Sequence, residues 1–184
     1  MGSIFSFQFF QHALIASVLT AVICGLVGSY IVVRRIVFVS GGITHASFGG
    51  IGLGLYLGIN PILSAAVAAV AAAFSIGKLS RTEGVREDSA IAGIWALGMA
   101  LGVLFMTLTP GYTTSLPAYL FGNILLVTRE DLGVLTVLAL GLILLFSLRY
   151  RTILYLAFDR DFAATRGVAV VWWERGLLLV IAIS

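Results

Sequence analysis

Charge is the scarcest feature of this 184-residue sequence. Only 10% of its residues are Asp, Glu, Lys or Arg, whereas soluble domains average about 25%. Hydrophobic residues make up 60% of the chain, and the mean hydropathy is +1.11. A chain with so few polar side chains cannot cover a folded domain in water. The composition therefore excludes an ordinary soluble protein and favours one that lies in a lipid bilayer.

The sequence also lacks the motifs of several enzyme and transporter classes. It has no G-x-x-x-x-G-K-[ST] phosphate loop, so it cannot hydrolyse ATP by that route. It has no G-x-S-x-G or H-E-x-x-H motif and no pair of intramembrane aspartates. No carboxylate lies inside a full apolar run, so a proton-coupled carrier would lack its usual relay. We predict a protein that is not an enzyme and that takes its energy from a partner subunit.

Cysteine is represented by Cys24 alone, which excludes a disulfide framework. Cys24 lies in the first apolar run, where a thiol acts as a small packing group. The isoelectric point of about 9.4 could indicate a nucleic-acid partner. However, the basic residues fall in short connections between apolar runs, which the positive-inside rule of membrane proteins explains better. Nucleic acid is therefore not an expected partner.

Several apolar runs reach about 20 residues, the length that crosses about 30 Å of hydrocarbon as a helix. Because the runs are continuous and do not alternate, they favour an all-α polytopic bundle over a β-barrel. We predict one transmembrane domain over residues 1–184, with five full spans and the start of a sixth. The predicted full spans are residues 9–33, 43–59, 62–76, 88–108 and 132–148.

Two segments do not fit full spans. Residues 112–127 are too short and too interrupted, and they predict a short re-entrant or interfacial helix. A last apolar run begins near Val168 and has too few residues before Ser184 to cross the hydrocarbon. We therefore expect a fragment that lacks the C-terminal helices of a longer protein.

The basic residues predict the orientation. If the N-terminus lies outside and the five spans alternate, ten of the eleven Lys and Arg residues fall inside, and Arg129 is the exception. The opposite orientation places nearly all of them outside, against the positive-inside rule. We predict that the N-terminus is outside and that residues 149–175 are cytoplasmic.

Glycines recur at every fourth position on two predicted spans. They are Gly50, Gly54 and Gly58 on the second span and Gly98 and Gly102 on the fourth. Such stripes let helices approach closely, which matters because lipid provides no hydrophobic drive for helix association. The pattern predicts a compact bundle packed through these glycines.

The most polar site within a predicted span is Thr44-His45-Ala46-Ser47. A histidine at membrane depth is rare and is a candidate metal ligand or proton carrier. The alternative is a histidine satisfied by a neighbouring backbone carbonyl. Thr44 and Ser47 are candidate oxygen ligands beside it. His12 lies at the outer edge of the first span, where an interfacial role is favoured.

Residues 156–167 read as one short amphipathic helix in the predicted cytoplasmic stretch. Phe158, Phe162 and Thr165 approximate one face, and Gly167 is a C-terminal stop. Such a helix could lie on the membrane surface or dock a cytoplasmic partner.

Together these segments resemble the permease family of zinc, manganese and iron ABC importers. The matching stretches are RRIVF (34–38), THA (44–46), YLFGNIL (119–125) and residues 158–167. The resemblance implies a multi-pass protein of the bacterial cytoplasmic membrane that forms a permease homodimer. It also implies two cytoplasmic ATPase subunits and an extracytoplasmic metal-binding protein as partners. Zn²⁺, Mn²⁺ or Fe²⁺ would be transported as substrate, with no permanently bound cofactor.

The resemblance also assigns residues to roles. It implies that residues 159–167 form a coupling helix seated in a groove of the ATPase, with Asp159, Phe162, Ala163 and Gly167 matching the family and Arg160 beside them. In the family, the second-span histidine usually follows an aspartate four positions earlier. This sequence keeps His45 but has Gly41 at that earlier position.

Three alternatives remain at this stage. One is an ABC permease for a chelated metal or cofactor. Another is a secondary carrier or channel without an ATPase, which the absence of intramembrane carboxylates disfavours. The third is an intramembrane enzyme that uses His45 with Ser47, which is disfavoured because residues two apart point to different helix faces.

Overall fold

The computed structural model describes residues 6–79, 86–111 and 122–184. Over these residues the chain is helical and contains no strand, which confirms the all-α prediction. The α-helices of this part of the chain are α1 (Gln8–Val33), α2 (Val37–Leu57), α3 (Pro61–Leu79), α4 (Glu87–Leu108), α5 (Arg129–Leu148), α6 (Tyr150–Phe158), α7 (Arg160–Thr165) and α8 (Val170–Ile183). A 3-10 turn, Ile124–Leu126, precedes α5.

Four helices of the described ranges are long and apolar enough to cross a membrane: Gln8–Val33, Pro61–Leu79, Asp88–Leu108 and Arg129–Leu148. The polytopic helical architecture is therefore confirmed. Helix α2 has 21 residues and coincides with the second predicted span, but its many small and polar residues keep it out of this set. Helix α8 has only 14 residues. The count of five full spans stays a prediction.

Helix α2 begins at Val37, earlier than the predicted start at residue 43. Ser40, Gly41 and Gly42 interrupt the apolar pattern there, so hydropathy alone places the start too late. Val39 and Gly42 are buried in the structure, which shows that packing carries the helix through this polar stretch. Of the predicted helix at 112–127, residues 112–121 lie outside the described ranges. The described part contains the 3-10 turn, whose Leu125 N–H donates to Asn123 Oδ1 at 3.0 Å.

The predicted amphipathic helix at 156–167 is two helices, so that prediction is wrong in part. Helix α6 ends at Phe158, and Asp159 has extended backbone with φ −151° and ψ 113°. The Asp159 carboxylate accepts the N–H groups of Asp161 at 2.9 Å and Phe162 at 3.0 Å, and so caps α7. Because the break separates Phe158 from Phe162, these two side chains do not share one helix face.

The described residues divide into two compact units. The first contains residues 6–34 and 122–168. Within it, α1 packs along α5, α6 contacts both of these helices, and α7 packs on α6. The second contains residues 35–79, 86–111 and 169–183. Within that unit, α2 packs against both α3 and α4, and α8 packs on α3.

Contacting residues give the helix directions in the second unit. Gly42 lies near Ile91, and Tyr56 contacts Phe105. Because residue numbers rise together on α2 and α4, these two helices run parallel. Along α2 and α3 the numbers run oppositely, since Gly42 lies near Ile76 and Gly54 near Pro61. Helix α3 is therefore antiparallel to its two neighbours, as consecutive membrane spans would be.

The turn between α2 and α3 is defined by three residues with local turn and capping roles. Gly58 adopts φ +68°, the left-handed conformation that ends a helix at glycine. Asn60 Oδ1 accepts the N–H groups of Ile62 at 2.9 Å and Leu63 at 3.3 Å, so it caps α3. Pro61 occupies the first helical position, where its missing N–H costs no hydrogen bond.

Candidate functional site

Helices α2 and α4 approach until their backbones touch. A Cβ atom built on Gly49 would lie 2.9 Å from the carbonyl oxygen of Gly98, and one built on Gly52 would lie 2.5 Å from that of Gly102. Added Cβ atoms on Gly98 and Gly102 would likewise overlap α2. Only glycine therefore fits at these four positions, and the contact fixes the register of α4 along α2.

The other face of α2 carries glycines toward α3. A Cβ built on Gly54 would lie 2.9 Å from Ser64 Cβ, and one on Gly50 would overlap the Ser64 backbone. Gly58 differs from Gly50 and Gly54, because no described atom lies within 4 Å of a Cβ built on Gly58. Its assignment to the packing stripe is corrected: at φ +68°, Gly58 ends α2.

Gly49 and Gly52 fall outside the pattern of glycines spaced by four, because these two are spaced by three. Both spacings place residues on one helix face, so the second stripe was available in the sequence. This second stripe matters for the candidate site, because the α2–α4 contact that it forms also brings His45 opposite Trp95.

His45 stacks on the indole of Trp95. The ring centroids are 4.3 Å apart and the ring planes are inclined by only 9°. The Nδ1 atom of His45 is buried, and none of the residues that the structure describes offers it a hydrogen bond. The backbone carbonyl that would satisfy a purely structural histidine is therefore not supplied to Nδ1. Nδ1 of His45 is thus a buried polar atom without a hydrogen-bond partner among the described residues.

Trp95 also covers Gly41, one helical turn before His45. The ring atom Cζ3 of Trp95 lies 3.5 Å from the position of a Cβ built on Gly41. That distance is an ordinary van der Waals contact, so a side chain at position 41 would lie against the indole without a clash. Trp95 is 36% exposed. Nothing in the sequence distinguished it from other aromatic residues of a span.

The hydroxyl groups beside His45 are bonded within α2. Thr44 Oγ1 donates to the carbonyl oxygen of Ser40 at 2.9 Å, and Ser47 Oγ donates to that of Thr44 at 2.7 Å. Their oxygen lone pairs stay available to a cation. Successive helical residues are about 100° apart around the axis, so Thr44 and His45 point in different directions. Over the described ranges, no three His, Cys, Asp or Glu residues lie together as a metal cluster.

The second candidate region is the corner between α6 and α7, in the first unit. The ring of Phe162 meets that of Tyr155 edge-on, with centroids 5.2 Å apart and planes at 84°. The guanidinium carbon of Arg166 lies 5.1 Å from the Phe162 centroid, a cation–π distance. The Tyr155–Phe162 contact holds α7 against α6 in a defined bend, and Arg166 covers the Phe162 ring from the end of α7.

The residues assigned to coupling occupy different environments in this corner. Asp159 and Arg160 are exposed at the start of α7, and Phe162 is 41% exposed. Ala163 has no exposed surface, so it contributes to the packing of the bend and is not presented to a partner. Gly167 ends the segment with φ +75°. Asp159, Arg160, Phe162 and Gly167 are thus exposed, and Ala163 is buried.

His12 has a partner at the start of α1. Its Nδ1 lies 3.1 Å from the carbonyl oxygen of Val127, which requires the hydrogen on Nδ1. The contact connects α1 to the residues just before α5. His12 thus has a structural partner and lies apart in sequence from the His45 site.

A chain whose described ranges are helical, with four bilayer-length apolar helices among them and helix pairs packed through glycine, is a polytopic membrane protein. The chain belongs to the ABC 3 transport family, whose family model matches residues 6–184. This match confirms the resemblance to metal ABC permeases that residues 34–46, 119–125 and 158–167 indicated.

Individual relatives agree with the family. An uncharacterized membrane protein of Synechocystis is 41% identical over 97% of this chain and 63% of its own length. The manganese transport system membrane protein MntC of Halalkalibacterium halodurans is 33% identical over 97% of this chain and 61% of its own length. The chain therefore spans about three fifths of the length of these relatives.

A solved structure has the same fold. PsaBC from Streptococcus pneumoniae, in complex with Fab, aligns with 97% of this chain and 64% of its own chain. The TM-score is 0.79 and the sequence identity is 25%. The fold of this chain is thus similar to one already seen in a solved structure.

Proposed function

We propose that this chain is part of the permease subunit of an ABC importer for a divalent transition metal ion, with Mn²⁺ as the first candidate. Family membership over residues 6–184 carries the proposal, and the manganese transport relative favours that metal. Zn²⁺ and Fe²⁺ are the competing cargoes. The chain would lie in the bacterial cytoplasmic membrane with its N-terminus outside and residues 149–175 in the cytoplasm.

In this function His45 is the transient metal ligand of the permeation path. Its buried Nδ1 has no hydrogen-bond partner among the described residues, and imidazole nitrogen is a common ligand of transition metals. Manganese prefers oxygen-rich sites. Because Thr44 and Ser47 point to other helix faces than His45, the oxygen ligands beside His45 would come from other helices of the permease. One nitrogen with weak oxygen donors binds loosely, which suits an ion that must leave again.

Trp95 acts as a positioning residue in the proposed path. Stacking at 4.3 Å restricts rotation of the imidazole ring. The indole also lies over Gly41, where the family usually carries an aspartate. The chain would therefore hold its histidine by an aromatic surface where other members place a second ligand.

Energy would come from a separate ATPase, because this sequence has no phosphate loop of its own. Helix α7 is the proposed contact, with Asp159, Arg160 and Phe162 as its accessible residues. The braced bend between α6 and α7 would transmit motion of the ATPase to the first unit. A second permease copy and an extracytoplasmic metal-binding protein complete the proposed assembly.

Capture of the ATPase tests the coupling assignment. The chain is co-expressed with the ATPase encoded nearest its gene and purified from detergent. We expect Asp159→Arg to abolish co-purification, because it removes the cap of α7 and reverses the charge at the docking site. Glu130→Arg at the start of α5 is the matched charge reversal and should leave capture unchanged. A folded wild-type chain that captures no ATPase would contradict the assignment.

Mn²⁺ binding tests the metal path. The electron paramagnetic resonance signal of free Mn²⁺ measures how much of the ion is bound. We expect His45→Ala to weaken binding at least ten-fold, because it removes the nitrogen ligand. Gly41→Asp should tighten binding about ten-fold, because it adds a carboxylate one turn from His45. Gly133→Asp on α5 adds the same charge elsewhere and should have no effect. Equal binding by wild type and His45→Ala would refute the path.

A further inference from the structure

A groove of about 410 Å³ opens between α3 and α8 in the second unit. Its walls are mostly apolar. The lining residues are Ala73, Phe74, Gly77, Lys78, Arg175, Leu178 and Leu179. The two helices meet at its base, where a Cβ built on Gly77 would lie 3.3 Å from Leu178. None of the residues that line this groove belongs to the His45 site or to α7.

The polar part of this groove is cationic. Lys78 is in the last turn of α3 and is the one charged residue of that helix. Arg175 contributes from α8, and both side chains are exposed. The neighbouring Glu174 is 8% exposed and is not among the residues that line the groove. Lys78 and Arg175 thus lie together in the apolar groove.

The depth of this pair in a bilayer follows from α3. Helix α3 is one of the candidate membrane spans, so its last turn falls at a boundary between hydrocarbon and water. Trp172 on α8 is 73% exposed, and the Arg175 guanidinium carbon lies 5.6 Å from its ring centroid. Exposed tryptophan beside arginine is typical of the membrane interface. Lys78 and Arg175 therefore lie at headgroup level, with Phe74 and the leucines deeper.

We propose that this groove binds an anionic phospholipid. The headgroup phosphate would contact Lys78 and Arg175, and one acyl chain would lie along Phe74, Leu178 and Leu179. Charge complementarity selects an anionic headgroup, because basic pockets between membrane helices attract such lipids. The apolar walls select a lipid over free phosphate, which has no group to place against them.

Lipid retention by the purified chain tests the proposal. The 184-residue chain is delipidated in neutral detergent, titrated with phosphatidylglycerol or phosphatidylcholine, and bound lipid is counted by native mass spectrometry. We expect a clear preference for phosphatidylglycerol. Lys78→Gln and Arg175→Gln should each weaken binding about five-fold, equivalent to about 1 kcal/mol per cation, and the double variant about 25-fold. Arg151→Gln, on α6, is the matched control and should bind as wild type does.

A second variant distinguishes a bound phospholipid from free phosphate. Leu179→Trp fills the groove and keeps both charges, so it should reduce phosphatidylglycerol binding although the headgroup contacts remain. Inorganic phosphate at millimolar concentration should not displace the lipid. Circular dichroism confirms that every variant is folded. The proposal is overturned if wild type binds both lipids equally, if the double variant retains phosphatidylglycerol, if phosphate displaces it, or if a second copy of the chain occupies the groove.

Discussion

Helices α2 and α5 have nearly the same length, 21 and 20 residues, but very different surroundings. Helix α2 has eight buried residues, half of them glycine, because it contacts helices on two faces. Helix α5 has two buried residues, Ala139 and Leu142, and an exposed surface of leucine and valine within its unit. Composition thus indicates surroundings: small residues mark a helix enclosed by protein, and large aliphatic ones a helix that leaves its surface to lipid or to partners.

The two helices also begin differently. Thr128 and Asp131 form a capping box at the start of α5, with Asp131 N–H donating to Thr128 Oγ1 at 3.2 Å and Thr128 N–H to Asp131 Oδ2 at 2.9 Å. Helix α2 follows Ile36, which supplies no side-chain cap. Local sequence therefore defines the start of α5, and tertiary packing defines that of α2. Four matched pairs of substitutions separate these two sources of stability.

The largest effect is expected at the α2–α4 contact. Gly98→Leu places a side chain where the backbone of α2 already lies. The helices must separate, and we expect a loss of more than about 3 kcal/mol and little folded protein. Thermal unfolding in mild detergent and the yield of monodisperse protein measure this effect.

The matched substitution for this test is Gly141→Leu on α5. No described atom lies within 4 Å of a Cβ built on Gly141, so leucine has room there and we expect normal yield. Similar losses at both positions would show that α2 is no more tightly enclosed than α5.

Removing one large side chain should have the next largest effect. Phe48 on α2 has no exposed surface, and Phe48→Ala should cost about 3 kcal/mol because it leaves a cavity between α2 and α4. Leu140→Ala on α5, at a residue 61% exposed, should cost less than about 0.5 kcal/mol. Chemical unfolding of both variants in the same detergent compares them. A small loss at Phe48 would mean that α4 closes the cavity.

The parts of this fold that local sequence defines were predictable, and the parts that long-range packing defines were not. Hydropathy located the long helices, and the start of α3 follows from Asn60 and Pro61 because capping is local. The start of α2 was not, because packing of Val39 and Gly42 overrides a polar stretch. The break at Asp159 was missed because residues 156–167 were read as one amphipathic helix, although aspartate is a strong N-cap.

The candidate site was predictable in part. His45 stood out because histidine is rare at membrane depth. Its neighbour Trp95 is 50 positions away in sequence, and only the α2–α4 register brings the two rings together. That register depends on Gly49 and Gly52, which a search for spacing by four passes over. The burial of Ala163 likewise required the bend between α6 and α7.

A smaller effect distinguishes the two kinds of glycine on these helices. Gly58→Ala forces alanine into φ +68° at the end of α2, and we expect a loss of about 1 kcal/mol. Gly141→Ala, in the helical interior of α5 with equally open surroundings, should instead stabilise by about 0.5–1 kcal/mol. Shifts of unfolding temperature with opposite sign would support this assignment of Gly58. A gain at both positions would contradict it.

The smallest effect is expected where local sequence acts alone. Thr128→Ala removes the hydroxyl that accepts the Asp131 N–H, and also the Oγ1–H that donates to Asp131 Oδ2 at 2.7 Å. Because the first turn of α5 is exposed, we expect a loss of about 0.5–1 kcal/mol, with faster amide exchange confined to that turn. Thr136→Ala is the control, since its hydroxyl donates to Leu132 within the helix and caps nothing. If amide exchange also became faster throughout α5, the capping box would be supporting the packing of α5 against α1. Helices α2 and α5 would then differ only in the number of faces that each buries.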